Sequence, residues 1–276
     1  MKSLSFRIRE TGSLPIETEG WLPEAFFEST LDQVLAHRLM VGNRPASVGE
    51  LFDVRPVDGE PDRWFLEGDL RAVHHLGAGM SRGHLEIRGS VGRHLGRGMR
   101  GGTIEVDGDA GDRLGAAMSG GTIRVGGNAG DGVGAAELGN PIGMTGGLLV
   151  VEGNVGDELG RGQRRGLIAV GGDAGEGAGF AMRAGTILIG GSAAGSPGAG
   201  MVRGSIILAR PPRRPLLPSF RFACRLQPPM IPPLLASLRR VTSCLSMLDP
   251  RTSFDLHSGD LLEGGRGEIL IAAPGV

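Results

Sequence analysis

The sequence predicts an all-β protein, a single-stranded β-helix of about nineteen residues per coil, with a small N-terminal α/β cap and a Pro-rich C-terminal extension. Three observations predict it. Glycine fills 51 of 276 positions, well over twice the roughly 7% of ordinary proteins. A frame G-x-x-G-x-x-x-G-x-x-M-x-x-G recurs, intact at Gly89, Gly92, Gly96, Met99, Gly102 and at Gly172, Gly175, Gly179, Met182, Gly185. Aligned copies then place apolar residues in fixed columns, as stacked coils require.

The copies start at residues 84, 103 and 122, and again at 148, 167, 186 and 205, a nineteen-residue step with one step of 26. A degenerate copy precedes them from about Trp64 to Gly83. Two columns lie two residues apart: Leu85, Ile104, Ile123, Leu149, Ile168, Ile187, Ile206, and Ile87, Val106, Val125, Val151, Val170, Ile189, Leu208. Alternating β-branched pairs of this kind form a strand with one face on a core. A third column, beginning Val91, Ala110, Ala129, is small, and a fourth, beginning Leu95, Leu114, Val133, closes at Pro197. The methionine column runs Met80, Met99, Met118, Met144, Met182 and Met201, with Gln163 as its exception. The seven extra residues of the long step, Glu137 to Gly143, are expected to loop out before Met144 rejoins its column.

The chain divides by composition into residues 1–63, 64–209 and 210–276, the middle part holding 41 of the 51 glycines. The first part opens with an alternating strand, Leu4, Phe6, Ile8, followed by a helix candidate from Pro23 to Leu39. Its Phe26, Phe27, Val34 and Leu35 are expected to cover the first coil, because a bare end exposes unpaired strand edges. The tail carries ten of the seventeen prolines and a helix candidate near 233–248, and is expected to cap the far end.

Net charge is −1 and the isoelectric point about 6.6, so no global field draws the chain to nucleic acid. Two lone cysteines, Cys224 and Cys244, form no CxxC or Cys/His pattern, which excludes a disulfide scaffold and a zinc ribbon. No run reaches eighteen apolar residues, and charge interrupts the N-terminal decapeptide Met1 to Glu10. Neither a signal peptide nor a membrane span is expected, and the cytoplasm is the expected compartment. Gly126-Gly-Asn-Ala-Gly130 mimics a phosphate loop, yet no helix follows and Lys2 is the only lysine. His75 and His94 share a column with Arg113 next in line, two ligands where a metal site needs three or more. The acidic column Asp112, Asp131, Asp157, Glu176 suits turn chemistry better than calcium.

The most suggestive feature is basic. Arg82, Arg100, Arg164, Arg165, Arg183 and Arg203 follow the methionine column and, joined by Arg161, are expected on one corner. Arginine's planar fork suits carboxylates and interfaces. The candidate site is therefore Arg161, Arg164, Arg165, Arg183 and Arg203, for a subunit interface or an anionic carrier, with no catalytic or metal-binding residue assigned.

These residues resemble the C subunit of formylmethanofuran dehydrogenase and of its bacterial relative, the formyltransferase/hydrolase complex. The likeness rests on the repeated frame from 68 to 204, on Arg164-Arg-Gly-Leu-Ile-Ala-Val-Gly-Gly-Asp-Ala-Gly175, on Val41-Gly-Asn-Arg-Pro45, and on Pro218-Ser-Phe220 and Gly267-Glu-Ile-Leu270. It implies a right-handed β-helix serving as a structural scaffold in tetrahydromethanopterin-linked one-carbon metabolism. It implies other subunits as partners, a methanofuran-type carrier in the complex and no cofactor on this chain. A molybdenum or tungsten pterin would sit on a partner subunit, and only in the dehydrogenase form. The repeat also resembles the C-terminal domain of the glutamate synthase large subunit. A free-standing polysaccharide-processing β-helix enzyme is the remaining class, disfavoured by repeats almost without aromatics.

Overall fold

The computed structural model describes residues 3–9, 14–60, 62–245 and 248–273. Residues 1, 2 and 10 of the N-terminal decapeptide, and positions 246 and 247 of the expected tail helix, lie outside the described residues.

The first part of the chain builds strands β1 (Ser3–Ile8), β2 (Ile16–Glu17), β3 (Arg38–Val41), β4 (Arg44–Ser47) and β5 (Phe52–Val57), with helices α1 (Leu31–Ala36) and α2 (Val48–Leu51). The helix expected over Pro23–Leu39 is broken. A 3-10 turn covers Pro23–Phe26, and α1 begins afresh because Thr30 and Gln33 form a reciprocal capping box. Leu39 belongs to β3. The first repeat is covered less by the expected helix face than by an aromatic cluster. Phe6 lies 5.0 Å from Trp21 and 4.8 Å from Trp64, while Phe52 stands 5.2 Å from Trp21. All four are fully buried, whereas Phe27 is exposed.

The repeats follow as β6 (Arg63–Glu67), β7 (Val73–His74), β8 (His84–Arg88), β9 (Thr103–Val106), β10 (Thr122–Val125), β11 (Leu148–Val151), β12 (Leu167–Val170), β13 (Ala174–Glu176), β14 (Thr186–Ile189), β15 (Ala193–Gly195) and β16 (Arg203–Leu208). From β6 to β16 the main strands pair parallel and in register, Leu85 opposite Ile104, Ile104 opposite Ile123 and so to Ile187 opposite Ile206. Isolated parallel bridges stack a second side of each repeat, from Leu70 to Val91, Ala110, Ala129, Val155 and Ala174. The four apolar columns and the methionines lie in one continuous core.

Two glycine columns explain the frame. Gly96 has φ +62 and a Cβ there would sit 2.4 Å from Ile123 Cδ1, so the turn needs both the left-handed backbone and the missing side chain. At Gly102 a Cβ would sit 2.8 Å from Met80 Cε, because each methionine packs over the glycine of the next repeat. The long step loops out as expected. Leu138 is exposed, and Met144 returns to the buried column with its amide donating to the Gly134 carbonyl at 3.0 Å.

The tail adds β17 (Arg221–Leu226), helix α3 (Ile231–Leu238), β18 (Phe254–Gly259) and β19 (Arg266–Ala272). β19 pairs parallel with β16, placing Ile269 opposite Ile206, and β18 and β17 follow antiparallel. The result is a thirteen-stranded mixed sheet, parallel through its middle and antiparallel at both ends. The chain is thus all-β with a few short helices.

The tail also does something other than cap. On β8, β9 and β10 the outward position between the core residues is Glu86, Glu105 and Arg124; on β11, β12, β14 and β16 it becomes Val150, Ala169, Leu188 and Ile207. These four are buried beneath Ile231, Leu235 and Leu238 of α3, together with Leu245, Leu248 and Phe254, in a second hydrophobic cluster. α3 spans Ile231–Leu238 rather than 233–248, and its lobe packs against the flank of the repeats because that flank turns apolar.

Candidate functional site

The arginine corner is set by backbone geometry. After each methionine position the chain bends, and the next amide donates to the carbonyl one repeat earlier: Arg164 N to Met144 O at 2.8 Å, Arg183 N to Gln163 O at 2.7 Å, Val202 N to Met182 O at 2.8 Å. Arg164 and Arg183 are therefore direct neighbours in one column, with Val202 next. The adjacent column holds Arg165, Ala184 and Arg203. All four arginines are exposed, and none pairs with a carboxylate among the described residues. Arg266 stands opposite Arg203 across β16 and β19 and is also exposed, so it lengthens the stripe. It lies far along the chain, yet the signal was present: Arg165-Gly-Leu-Ile168, Arg203-Gly-Ser-Ile206 and Arg266-Gly-Glu-Ile269 share one motif.

Arg161 departs from expectation. It sits before the bend, half-buried, with Nη1 3.1 Å from Glu158 Oε2 and its guanidinium 5.7 Å from the Phe180 ring centroid. Three residues before Arg164 is far enough to place it on the preceding face, already neutralised. Arg100 is exposed at the corner three repeats before Arg164, whereas Arg82 packs its guanidinium on Phe27 at 5.2 Å.

Gln163 lies directly inside the Arg164–Arg165 bend. It is fully buried, and its Nε2 donates to the Gly166 carbonyl at 3.0 Å, while Oε1 has no hydrogen-bond partner among the described residues. The amide thus holds a corner carbonyl that the methionine column leaves to the backbone.

On another corner His75 and His94 stack as the column predicts, at left-handed φ values of 61 and 63. His75 Nδ1 lies 2.6 Å from Glu17 Oε2 of the N-terminal lobe. Burial first, and the neighbouring His75 second, lower the His94 pKa from its usual 6.5. The loop residue Glu137 reaches the same face and meets Arg97 Nε at 2.9 Å.

The acidic column performs turn chemistry. Asp112 Oδ1 accepts the Asp131 amide at 3.0 Å, Asp131 Oδ1 that of Asp157 at 2.8 Å, and Asp157 Oδ1 that of Glu176 at 2.7 Å. A second ladder, not expected from the sequence, runs Asp109, Asn128, Asn154, Asp173, each side-chain oxygen accepting the amide of the following member, at 2.7 Å for the Asn128 amide and 2.8 Å for the next two. Among the described residues no group of three or more His, Cys, Asp or Glu side chains could hold a metal ion. No helix among them is long and apolar enough to cross a membrane.

No protein-family model matches the sequence. The C subunit of the tungsten-containing formylmethanofuran dehydrogenase 2 of Methanococcus maripaludis is 32% identical over 92 residues, 33% of this chain and 34% of that protein. The C subunit of the molybdenum-containing formylmethanofuran dehydrogenase 1 of Methanothermobacter marburgensis is 39% identical over 79 residues, 29% of this chain and 20% of that protein. The matched region thus spans about a third or less of these curated relatives. The likeness to a solved structure is far more extensive. A chain of the formyltransferase/hydrolase complex of Methylorubrum extorquens, crystallised with methylofuran, superposes with a TM-score of 0.88 and 30% identity over 98% of this chain and 100% of its own. With that end-to-end match and the C-subunit relatives on the same repeats, the chain belongs to the C-subunit family of formylmethanofuran dehydrogenases and formyltransferase/hydrolase complexes.

Proposed function

We propose that this chain is the structural C subunit of a formyl-processing hetero-oligomeric complex of the formyltransferase/hydrolase kind, working in tetrahydromethanopterin-linked one-carbon metabolism in the cytoplasm. The observation that carries the reading is the superposition along essentially the whole chain, both terminal parts included, on a chain of such a complex. A molybdenum or tungsten dehydrogenase is the second reading, favoured by the names of the curated relatives but supported over only a third of the chain. In either case the catalytic groups belong to partner subunits. The methanofuran-type carrier belongs to the complex, and any molybdenum or tungsten pterin to a partner in the dehydrogenase form.

In this reading the repeats form a right-handed single-stranded β-helix over residues 64–209, between a cap of 1–63 and an extension of 210–276. The in-register parallel ladders support the coil. The exposed Arg164, Arg165, Arg183 and Arg203, without a carboxylate partner among the described residues, receive either an acidic partner surface or the carrier, with Arg161 at their margin. The acidic column is committed to neighbouring amides, which argues against its use as catalytic carboxylates.

Affinity purification of the native protein with mass spectrometry and metal analysis tests the reading. Stoichiometric formyl-processing subunits without molybdenum or tungsten are expected; either metal in stoichiometric amount selects the dehydrogenase form, and glutamine- and flavin-enzyme partners would point to a glutamate-synthase-like domain. Arg164→Ala with Arg165→Ala tests the corner. Assembly and carrier affinity both unchanged would remove it as a binding site.

A further inference from the structure

The thirteen-stranded sheet ends in β17, which pairs with β18 on one side and with no described strand on the other. Its side chains from Arg221 to Arg225 are all exposed, Phe222 at 61%. Only Leu226, at its end, is partly buried, and a strand so exposed with one edge open is what natural sheets normally cover or blunt. Beside it runs a groove of about 600 Å³, floored by Leu216 and Ile271, which pack on the main core, and walled in part by Arg213, Arg214, Arg221 and Phe222.

The charge of this region is net positive. Among the described residues no carboxylate lines the groove. Arg213 lies 2.6 Å from Asp173 and Arg214 3.3 Å from Glu176. Arg210 also acts on Asp173, and Arg221 has no carboxylate partner among the described residues, so four arginines answer two acids. Arg225 is already paired with Asp255 at 2.6 Å, and a second copy of this chain brings no carboxylate on its own β17 to meet Arg221, so it matches the edge less well than an acidic segment does. A bulge at Ala223, which has no opposite residue on β18, further guards the edge against indiscriminate pairing.

We propose that β17 and its groove receive an extended, acidic segment of a partner subunit. The segment adds as a further strand along β17, sets carboxylates against Arg221, and seats an apolar side chain beside Phe222 over Leu216 and Ile271. Main-chain hydrogen bonds supply affinity in such strand addition, and the flanking pockets supply specificity. The proposal rests on the reading of this chain as part of a complex for the existence of a partner.

The chain carries its own probe. Cys224 is exposed in the middle of β17, and Cys244, the other cysteine, is partly buried with its thiol pKa pushed up by that burial. Maleimide alkylation of Cys224, followed by mass spectrometry, is compared between the free full-length chain and the purified complex. The expected result is alkylation slower by about tenfold or more in the complex, together with loss of that protection and weaker assembly in the Arg221→Glu, Phe222→Ser double variant. Cross-linking from Cys224 in the complex is expected to capture an acidic peptide of a partner. A complex in which Cys224 reacts as fast as in the free chain, or in which the cross-linked peptide is basic or helical, overturns the edge proposal and leaves the proposed function intact. A chain that forms no complex overturns both.

Discussion

His75 and His94 lie face to face on successive repeats, their ring centroids 4.5 Å apart and their planes 13° from parallel. The stack joins the N-terminal lobe to the repeats, because His75 also meets Glu17. It has a pH dependence. Burial depresses the His94 pKa below 6.5, as it does for His37, His74 and His84. A depressed folded-state pKa means that protonation favours the unfolded chain, so stability is full above the unfolded value and falls as pH drops below it. The urea midpoint is expected to be flat above about pH 7 and to decline toward about pH 5. His94→Asn should reduce that decline; an unchanged slope would show that the ring is not a contributor.

Gln163 replaces the methionine of its column and leaves Oε1 buried without a partner among the described residues. Gln163→Met is expected to stabilise the chain by about 1 kcal/mol, the scale of an unsatisfied buried polar atom. For a chain of this size that is a rise in Tm of roughly 2–4 °C. Calorimetry reads it, and a fall in Tm would mean that the Nε2 bond to Gly166 outweighs the orphaned oxygen.

Gly96 and Gly98 share φ values of +62, but an added Cβ meets Ile123 Cδ1 at 2.4 Å at the first and nothing within 4 Å at the second. Gly98→Ala is expected to cost about 1–2 kcal/mol of backbone strain alone. Gly96→Ala adds overpacking, for a total of about 2–5 kcal/mol. Paired denaturation curves decide it, and equal costs would contradict the packing described for the Gly96 column.

Leu188 is fully buried under α3 on the outer face of the sheet. Leu188→Asp is expected to release that helix, with a loss of at least about 3 kcal/mol from this lobe. Hydrogen exchange should quicken at Leu235 and Leu238 while amides of β9 and β10 keep their protection. Unaltered exchange in α3 would refute its docking on this face.

The inner columns were legible because every repeat solves the same packing problem, so Ile104, Ile123 and Ile168 are forced to agree. The outer column was equally present in the sequence as Glu86, Glu105, Arg124 and then Val150, Ala169, Leu188, Ile207, yet it reads as tolerated variation until α3 is seen lying there. Trp21 and Phe52 close the first repeat through contacts that no local period encodes. At the candidate site, Arg164, Arg165, Arg183 and Arg203 could be aligned from the repeat. Arg161 could not be separated from them without knowing that the chain bends between it and Arg164, and Arg266 joined only when β19 paired with β16.

The switch on the outer face has a last consequence. The five strands from β11 to β19, at about 4.8 Å spacing, reach roughly 19 Å from first to last. The lobe that carries α3 is tied at one side by Thr242 Oγ1, 2.8 Å from Glu152 Oε1 just past β11, and at the other by Leu270 of β19. Between those two anchors it works as a length gauge. Repeats can be gained or lost by unequal duplication ahead of residue 148 without disturbing it, whereas a change between 148 and 208 would pull the anchors out of step, so the second half of the array is held to a fixed count.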